Sequence, residues 1–583
     1  MPIIPVSART NPDLATYTIL SEGQELPASV GVAMLAVTYA INKVPAAKLV
    51  LFDGDVATGE FELSDGDLFV PGRKIEIKAG YNNDEEQIFE GIIIKHGLDI
   101  SKDSSKLVLE LRDPVIRMTV GRKNNYFFDS SDSEIIETLI GSYPDLSANV
   151  ESTQPNHAEM VQYYCSDWDF MLTRAESSGK IVRVAAGEVE VFKPDTGSEP
   201  VLELEFGMNV ISFEAEMDAR RQYSSSKAVS WDASLQELKE KESANPNLDI
   251  HGNISPDDLA AVIGLSENKL QHGGPKKDEE LQSWADTNLF RSRLSKIQGR
   301  LKTLGNNSIR PGDLVSLQGF GDRFNGKAFV SSVYHEISPN QKWFTHLGIG
   351  LDPKLIAYTY DDIQDAPAAG LLPAIKGLQV GKVTMLQDDP DGEYRVKVVI
   401  PMIKAEEEGI WARLAQIDAG DGRGSFFYPE IEDEVIVGFI NEDPRDAVVL
   451  GKLYSSAKAA PLEPSDDNHE KGIFTRSGMQ IVFNDDLVSL TIKTPNGNKI
   501  LLSEEDGSIL IEDENSNRFQ MSSEGIELES NSNIKMKASG DIIMEGTNIE
   551  LKASAGLNAE GGASAAFTSS GSTEIQGSIV QIN

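Results

Sequence analysis

A repeat of eight residues near the C-terminus constrains this chain more than any other feature. The repeated positions form two series that lie two residues apart: Ile549, Leu557, Ala565 and Thr573, then Leu551, Ala559, Phe567 and Ile575. Because residues two apart in a strand point to the same side, each repeat supplies a pair of side chains to one common face. The repeat therefore predicts a series of short strands with a shared inner face.

The repeat extends upstream, where Ile534 and Met536 map onto Ile542 and Met544, with a slip of one residue between the two blocks. A strand of three or four residues is only about 10–13 Å long, and alone it would leave its apolar face uncovered and its edges open. Three copies wound around one axis would cover each face and pair each edge. The pattern predicts a trimeric intertwined β-helix or prism. Its predicted core residues are Ile534, Met536, Ile542, Met544, Ile549, Leu551, Leu557, Phe567 and Ile575.

Two alternatives to the intertwined needle stay open at this point. Residues 551–577 are mostly Ala, Gly, Ser and Thr, a composition that is also typical of a flexible tail. A β-helix formed by a single chain is the second alternative, but its turns normally need more than eight residues. Small side chains near the axis would let a prism stay thin, so the composition is compatible with the needle as well.

The rest of the chain is interpreted as mainly β with some α. The segment 378–455 contains about five short strands with glycine turns, which fits a small barrel of the oligosaccharide/oligonucleotide-binding (OB) type. Ser131 precedes Glu134 by three residues, a capping-box spacing that predicts a helix after it. The apolar spacing over 278–304 predicts the longest helix, and the charged segment 234–247 is expected to be an exposed helix or loop.

Composition limits the classes of function. The formal net charge of −39 argues against broad binding to nucleic acid or to an anionic membrane surface. The single cysteine, Cys165, cannot form a disulfide within the chain. No signal peptide and no stretch long enough to span a bilayer is recognised, so we expect synthesis in the cytoplasm and, if the protein leaves the cell, a route that needs no leader.

The sequence gives no support for catalysis or for a metal site. Its seven histidines are scattered, and the motifs H-x-H, H-E-x-x-H and C-x-x-C do not occur. The glycine-rich segment 319–326 lacks the Lys-Ser/Thr of a phosphate-binding loop and is interpreted as a turn. Residues 388–393 resemble half of a calcium loop, but Gln387 and Val398 would then occupy ligand positions, so the loop is rejected. We expect no catalytic residue, no metal and no cofactor.

Four segments together resemble a known family. They are "PGRKIEIKAGYNNDEEQIFEGIIIKHG" (71–97), "HAEMVQYYCSDWDFMLTRAESSGK" (157–180), "DPDGEYRVKVVIP" (389–401), and the run from "WARLAQI" to "VVLGKLY" (411–454). The chain is similar along nearly its whole length to spike proteins of the VgrG type, in which the hub and needle of a contractile phage tail are fused. Segments 389–401 and 411–454 are the most specific match.

The resemblance implies a domain plan and a set of motif residues. A phage-hub-like domain with two barrels and helical insertions would cover 1–375, the OB barrel 376–458, a linker 459–472 and the needle 473–583. The resemblance places the hub motif at Trp168, Asp169 and Phe170, of which Trp168 and Phe170 are expected to anchor the core. It places the barrel motif at Trp411, Gly422, Gly424, Pro429, Gly438 and Gly451.

The resemblance also implies a function as a structural trimeric spike of a contractile injection system. Inner tube and baseplate proteins would be partners, effector cargo a further one, and a pointed cap of the PAAR-repeat type would bind a tip at Gln581, Ile582 and Asn583. The particle would pierce a target envelope mechanically, either after release from the cell or while anchored to a membrane; segments 41–55 and 311–337 favour the extracellular phage-tail-like branch or a related type VI subtype. A receptor- or glycan-binding tailspike and a peptidoglycan hydrolase are the alternatives.

Overall fold

The computed structural model describes residues 15–55, 57–102, 104–246, 248, 251–338 and 342–582. The chain divides into two units. The first comprises residues up to Gly377 together with Phe439–Asp446, and the second comprises Leu378–Gly438 together with the chain from Ala447 onward. Among the described residues, no helix is long and apolar enough to cross a membrane.

The first unit contains most of the helices and a large sheet. Its strands are β1 (Ala15–Ser21), β2 (Gln24–Glu25), β3 (Val32–Ala40), β4 (Ala46–Phe52), β5 (Lys74–Tyr81), β6 (Asp84–Ile100), β7 (Ser105–Arg112), β8 (Lys123–Ser130), β9 (Ser147–Val150), β10 (His157–Cys165), β11 (Ile181–Ala185), β12 (Glu188–Phe192), β13 (Leu202–Glu205), β14 (Val210–Met217), β15 (Ser225–Asp232), β16 (Glu237–Glu242), β17 (Glu267–His272), β18 (Ile297–Leu304), β19 (Leu314–Gln318), β20 (Gly326–Ile337) and β21 (Trp343–Ile349). Its helices are α1 (Glu62–Asp65), α2 (Asp132–Gly141), α3 (Asp167–Ser177), α4 (Pro256–Ile263) and α5 (Asp278–Leu294).

Thirteen of these strands form one sheet, in the order β14-β18-β21-β20-β3-β4-β7-β6-β5-β1-β2, with β13 and β19 attached beside β20. The sheet has two apolar cores. One contains Leu35, Leu49, Ile77 and Leu109, and the other is built around β13, β14 and β18–β21. Strand β20 pairs with β3 and so joins the two halves. That these halves are the two barrels of a hub stays a prediction.

Helices α2 and α3 enclose a third core with β11 and β12. The Ser131 hydroxyl accepts a hydrogen bond from the Glu134 backbone N–H, and the Glu134 carboxylate accepts one from the Ser131 N–H, so the predicted capping box is confirmed. Ile135, Ile136, Leu139 and Ile140 are buried on one face of α2. The helix forms because its cap satisfies the first amides and its apolar stripe faces the core.

Two predictions for the middle of the chain were wrong. The helix predicted over 278–304 ends at Leu294, and Ile297–Leu304 is a strand paired with β14 and β21. Ile297 and Leu301 fit both a helical and an alternating pattern, and pairing on both sides of this strand decides between them. The segment 234–247, expected to be an exposed helix or loop, contains β16, in which Lys239 and Lys241 both form salt bridges with Asp278 on α5.

Residues 352–356, which follow the last strand of the first unit, are held in place by charged side chains. The Arg291 guanidinium donates to the Asp352 and Lys354 carbonyls at 2.9 and 2.7 Å and to the Glu176 carboxylate at 3.1 Å. Glu176 also accepts from the Ile356 N–H at 2.8 Å. Since Arg291 and Glu176 are both buried, this network fixes the backbone of 352–356 to α3 and α5.

The second unit begins with a closed barrel. Its strands, β22 (Gln379–Met385), β23 (Val396–Val399), β24 (Ile410–Leu414), β27 (Glu434–Phe439) and β28 (Ala447–Lys452), close in the order β22-β23-β24-β28-β27, and helix α6 (Pro401–Lys404) and a hairpin of β25 (Ala419–Gly420) and β26 (Arg423–Gly424) interrupt them. Val383, Val398, Ala412, Val435 and Val449 fill the interior. The prediction of a five-stranded barrel is confirmed.

Seven strands then form an antiparallel meander that we call the C-terminal sheet. They are β29 (Glu470–Phe474), β30 (Gln480–Asn484), β31 (Ser489–Lys493), β32 (Lys499–Ser503), β33 (Ser508–Glu512), β34 (Arg518–Ser522) and β35 (Gly525–Glu529). The predicted linker 459–472 therefore ends early, because β29 begins at Glu470 and pairs with β30. This first part of the predicted needle is a meander within one chain, not an intertwined helix.

Candidate functional site

One face of the C-terminal sheet carries two continuous columns of apolar side chains. The pairing registers place these residues opposite one another: Ile473, Ile481, Ile492, Ile500, Ile511, Phe519 and Leu528 in the first column, and Phe483, Leu490, Leu502, Ile509, Met521 and Ile526 in the second. Each strand from β30 to β35 supplies residues i and i+2 to these columns, and β29 supplies Ile473 alone, so the two columns lie on the same face. Cross-strand apolar contacts of this kind are the unit that stabilises a sheet.

The apolar face is incompletely covered within the chain. Ile500 is 37% exposed and Ile526 is 71% exposed, while Phe519 and Met521 are half-buried. An open trough follows each column, with volumes of about 740 and 650 Å³. The opposite face is polar at both margins; its outer rows are Gln480, Lys493, Lys499, Glu512, Arg518 and Glu529 on one side and mainly serines on the other. Its central row is mixed and contains Val482, Thr491, Leu501, Leu510, Gln520 and Glu527. The face with the two columns is thus the more apolar of the two and is available to a partner.

Short polar turns allow this meander to form. The Asn484 side-chain oxygen accepts hydrogen bonds from the backbone of Asp486 and Leu487. Asp513 accepts from the Asn517 side chain and backbone, and these bonds hold the pKa of the Asp513 carboxyl below its ordinary value. Gly497 has φ of 104°, a conformation that a residue with a side chain rarely adopts. Such turns return the chain directly, so adjacent strands stay in register.

Residues 531–582, which we call the octad segment, have no strand pairing within the chain and are bent at regular intervals. The bends fall at 531–532, 539–540, 547, 554–555, 562–563, 570–571 and 578–579. Each separates stretches of six residues, so the geometry repeats every eight residues except at Thr547, where a one-residue bend shortens the interval to seven. The slip of one residue in the sequence pattern coincides with this single short bend.

The predicted core residues of the needle occupy equivalent places in the octad segment. They are the second and fourth residues of successive six-residue stretches, as at Ile534 and Met536 or Ile549 and Leu551. All of them are exposed within the single chain, with Phe567 at 78%. Their burial in an intertwined trimer stays a prediction. Of the predicted tip residues, Gln581 and Ile582 are exposed, and Asn583 lies outside the described residues.

The predicted barrel motif lies on turns and strands of the second unit. Gly422 and Gly424, with φ of 65° and 131°, belong to the β25–β26 hairpin, and a Cβ at Gly424 would lie 2.5 Å from the Asp418 carbonyl oxygen. Only glycine fits that position. Gly438 lies on β27, where a Cβ would be 3.3 Å from Leu450. The other motif residues are Trp411 on β24 beside Lys397, Gly451 on β28, and Pro429 in the loop before β27.

The predicted hub motif lies at the start of α3. The Ser166 hydroxyl caps this helix by accepting from the Asp169 N–H, while Trp168 and Phe170 are buried. The Phe170 ring stacks on Phe127 at 5.9 Å. Burial raises the pKa of the Asp169 carboxyl, and the Ser166 hydroxyl donates to it. Trp168 and Phe170 thus belong to the core beneath α3.

A polar network around Asp167, beside this motif, was not predicted from the sequence. Burial alone would raise the pKa of Asp167, but hydrogen bonds from Gln162, Lys123 and Tyr143 hold it below its ordinary value. The donor–acceptor distances are 2.8, 2.6 and 2.7 Å. The spacing of Ser166 and Asp169 is that of a helix cap and is visible in the sequence. Only the fold, however, brings Lys123 and Tyr143 to Asp167. The network ties β8, α2, β10 and α3 together and has a structural role.

Within the described residues, no group of three or more His, Cys, Asp and Glu side chains is arranged to hold a metal ion. The apolar columns and the octad segment are instead the features that lack a partner in the chain. The short segments after 473 carry alternating apolar residues in the sequence, but the sequence alone does not align them into columns. The lengths of the turns between strands decide which residues lie opposite one another, and these lengths are seen only in the structure.

Comparison with known families assigns both units. Residues 11–339 match the family described as the Alg8 N-terminal domain. This match covers more than half of the 583 residues. Residues 379–454 match the type VI secretion system/phage-baseplate injector OB domain, and they include all strands of the closed barrel.

The chain is also similar to curated spike proteins over a short region. It is 33% identical to the type VI secretion system spike protein VgrG3 of Vibrio cholerae over 96 residues, which are 15% of this chain and 9% of the relative. It is 33% identical to the spike protein VgrG1a of Pseudomonas aeruginosa over 72 residues, 12% of this chain and 11% of the relative. The aligned region is thus about a tenth of the length of these relatives.

Solved structures show weaker, more extended similarity. A tail protein from Neisseria meningitidis aligns with 58% of this chain and 98% of its own, at 15% identity and a TM-score of 0.44. A chain of the PdpA–VgrG complex aligns with 88% of this chain and 98% of its own, at 10% identity and a TM-score of 0.40. The family match and the curated relatives carry the assignment: the chain belongs to the Alg8 N-terminal domain family and is a relative of the VgrG-type spike proteins.

Proposed function

We propose that this chain is a structural spike of a contractile injection system and that it works as a homotrimer. The observation that carries the proposal is the pair of apolar columns on one face of the C-terminal sheet, continued by the octad segment. Three sheets that turn these faces toward a common axis would bury both columns. The curated relatives bear the name of spike proteins, which supports the same conclusion.

The size of the exposed face favours a partner over a free surface. Fully burying a large apolar side chain contributes about 1.5–3 kcal/mol, and the thirteen column residues are partly covered already. Burying the exposed part of each column side chain would contribute about 1 kcal/mol. Association would therefore gain roughly 10 kcal/mol per chain, from which the entropic cost of association must be subtracted. Exposed apolar surfaces of this extent usually mark an interface.

The octad segment supports a three-fold axis over a two-fold one. Its backbone has no ladder partner inside the chain, and buried or closely packed backbone amides need one. Three extended copies around one axis would supply a neighbour on both sides of each stretch. The small residues Ala559 and Ala565 at inner positions would let the needle narrow toward its end.

The proposed work of the spike is mechanical, without a catalytic step. The first unit would adapt the needle to the inner tube and baseplate, the needle would pierce the target envelope, and effector cargo would travel with the particle. Interlocked strands separate only when many pairs break together, so resistance to load would be kinetic. The assembled particle would act either after release from the producing cell or while anchored to its membrane.

A pointed cap of the PAAR-repeat type is the proposed partner at Gln581 and Ile582. Val580 and Ile582 alternate with Gln581 and would point away from the axis, so the end of the needle would offer apolar side chains to the cap. Deleting 573–583 should leave a trimer and abolish capture of the cap in a pull-down. Retention of the cap by the shortened chain would contradict this part of the proposal.

Light scattering coupled to size-exclusion chromatography tests the central claim. The full chain should elute with about three times its mass of 63.5 kDa, and a bacterial-cell-wall zymogram should stay blank. An ordered monomer at micromolar concentration would refute the trimeric spike. Clearing in the zymogram would refute the purely mechanical role.

A further inference from the structure

The two lateral margins of the C-terminal sheet differ in charge at the level of β31 and β32. On one margin, the turns 485–488 and 504–507 contribute Asp485, Asp486, Glu504, Glu505 and Asp506. On the other margin, Lys493 lies directly opposite Lys499 at the ends of β31 and β32, and acidic residues follow only from Glu512 onward. At this level the first margin therefore presents acidic turns, and the second presents a pair of lysines.

Lys493 and Lys499 have no salt bridge within the described part of the chain. On the same margin Arg476 pairs with Glu430 and Arg518 with Glu527 at 2.7 Å, whereas Lys471 pairs with Asp485 of the first margin. Glu512 is the register partner of Lys499 on the next strand, but the corresponding partner of Lys493 is Gln480. Like charges placed directly opposite in a sheet are destabilising, so a carboxylate supplied by another copy would offset the repulsion between the two lysines.

We propose that the acidic turns of one copy receive Lys493 and Lys499 of the neighbouring copy, which joins adjacent sheets margin to margin around the axis. This inference rests on the proposed trimer. Around a three-fold axis each sheet places its first margin beside the second margin of the next copy, a head-to-tail contact that closes after three steps. The occupant of each margin is thus a second copy of this chain.

The heights along the axis agree with this pairing. A three-fold rotation includes no shift along its axis, so equivalent strands of the three copies lie level. Lys493 and Lys499 lie between β31 and β32, while the acidic turns connect β30 to β31 and β32 to β33. Each turn is therefore displaced by one strand spacing, about 4.8 Å, which a lysine side chain spans.

The contact cannot form inside one chain. Lys499 begins β32, and the turn at Glu504 follows its end. Five residues of extended strand separate the two margins by about 16 Å, beyond the range of a salt bridge. Any coupling between the lysine pair and the acidic turns must then act between copies.

Charge reversal of the full chain tests the proposal. The trimer of Lys493→Glu/Lys499→Glu should dissociate about 5–10 °C lower than the wild type on unboiled gels, and Glu504→Lys/Glu505→Lys should behave alike. Combining the four substitutions should restore the wild-type temperature to within about 3 °C. In 1 M salt the differences should shrink several-fold. A matched control, Lys43→Glu/Lys48→Glu in the first unit, should dissociate as the wild type does.

A cross-link reports the contact directly. Lys499→Cys/Glu504→Cys, treated with a short bismaleimide, should give a covalent trimer on a reducing gel, while either single variant should not. Glu524→Cys, which lies more than two strands away along the axis, should give little trimer with Lys499→Cys. The native Cys165 is buried and contributes little background.

The outcomes separate the two proposals. Suppose that the wild type is a trimer, that the dissociation temperature of the variant with all four substitutions falls by the sum of the two separate decreases, and that Lys499→Cys/Glu504→Cys does not cross-link. The pairing is then wrong, and the spike proposal stands. If the wild type is a monomer, the spike proposal itself fails. Rescue by the combined variant together with the cross-link would establish the pairing.

Discussion

Replacing Ile500 with aspartate tests the orientation of the C-terminal sheet. Ile500 lies in the first column between Ile492 and Ile511, its register partners on the adjacent strands. It is 37% exposed in the single chain. Burying the rest of this side chain at the trimer axis would therefore contribute roughly 1 kcal/mol per copy. The substitution removes this gain and brings three carboxylates to the axis.

The charge effect is larger than the lost burial. Desolvating a carboxylate costs several kcal/mol even after relaxation, and like charges at the same height oppose one another. Together the three copies should lose on the order of 10 kcal/mol, which weakens association by about seven orders of magnitude. A trimer with micromolar or tighter assembly would then become monomeric at working concentrations.

Gln520→Asp is the control, because Gln520 is already polar and, lying between the column residues Phe519 and Met521, points to the opposite face beside Glu527. Light scattering should find the Ile500→Asp chain as a monomer and the Gln520→Asp chain as a trimer, and circular dichroism should show that both keep their β content. A trimeric Ile500→Asp chain, or a monomeric Gln520→Asp chain beside it, would refute the assignment of the apolar face to the axis.

Three further predictions concern other parts of the chain. Phe567→Asp should abolish heat- and detergent-resistant trimers on unboiled gels, since it too would place carboxylates at the axis; unchanged trimers would contradict the winding. Burial lowers the pKa of His251 and of His335 to about 4, below the 6.5 of the unfolded chain, so stability is full above pH 6.5 and falls as the pH drops toward 4. At pH 5 each histidine should cost about 2 kcal/mol, visible as a lower melting temperature than at pH 7.5 and reduced in His335→Gln. Glu176→Gln should lower the stability of the first unit by about 3–5 kcal/mol, because it leaves the Arg291 guanidinium buried without its counter-charge; an unchanged denaturation midpoint would show that the network is dispensable.

The features that sequence predicted correctly depend on local rules. The capping box at Ser131 needs only four consecutive residues to satisfy its amides. The barrel follows from short alternating strands with turns between them, and Gly424 has a backbone conformation that few other residues tolerate. The eight-residue repeat is a local period as well, and the bends of the octad segment follow it through the slip at Thr547.

The features that sequence missed depend on distant pairing. Ile297–Leu304 continues the apolar spacing of α5, and only its pairing with β14 and β21 makes it a strand. Both partners of that strand are distant in sequence. The charged segment Glu237–Glu242 is a strand because it forms a hairpin with β15, and its lysines Lys239 and Lys241 then reach the distant Asp278 on α5; the hairpin itself is local, but the charged residues gave no apolar alternation by which to predict it. The apolar columns of the C-terminal sheet likewise depend on the summed lengths of several turns.

The change from sheet to octad segment after Glu529 suggests an order of assembly. Up to that residue each strand pairs with a neighbour in the same chain, so the C-terminal sheet can form before association. Beyond it the described chain has no internal ladder, and its amides would find partners only on other copies. Three sheets that meet first would hold the octad segments side by side and level, which removes most of the entropy cost of aligning them. Winding would then proceed from Glu529 toward the tip, one eight-residue unit at a time. Charged substitutions in the apolar columns of the sheet should therefore prevent trimer formation altogether, whereas those near Ile575 should leave a trimer with a frayed end.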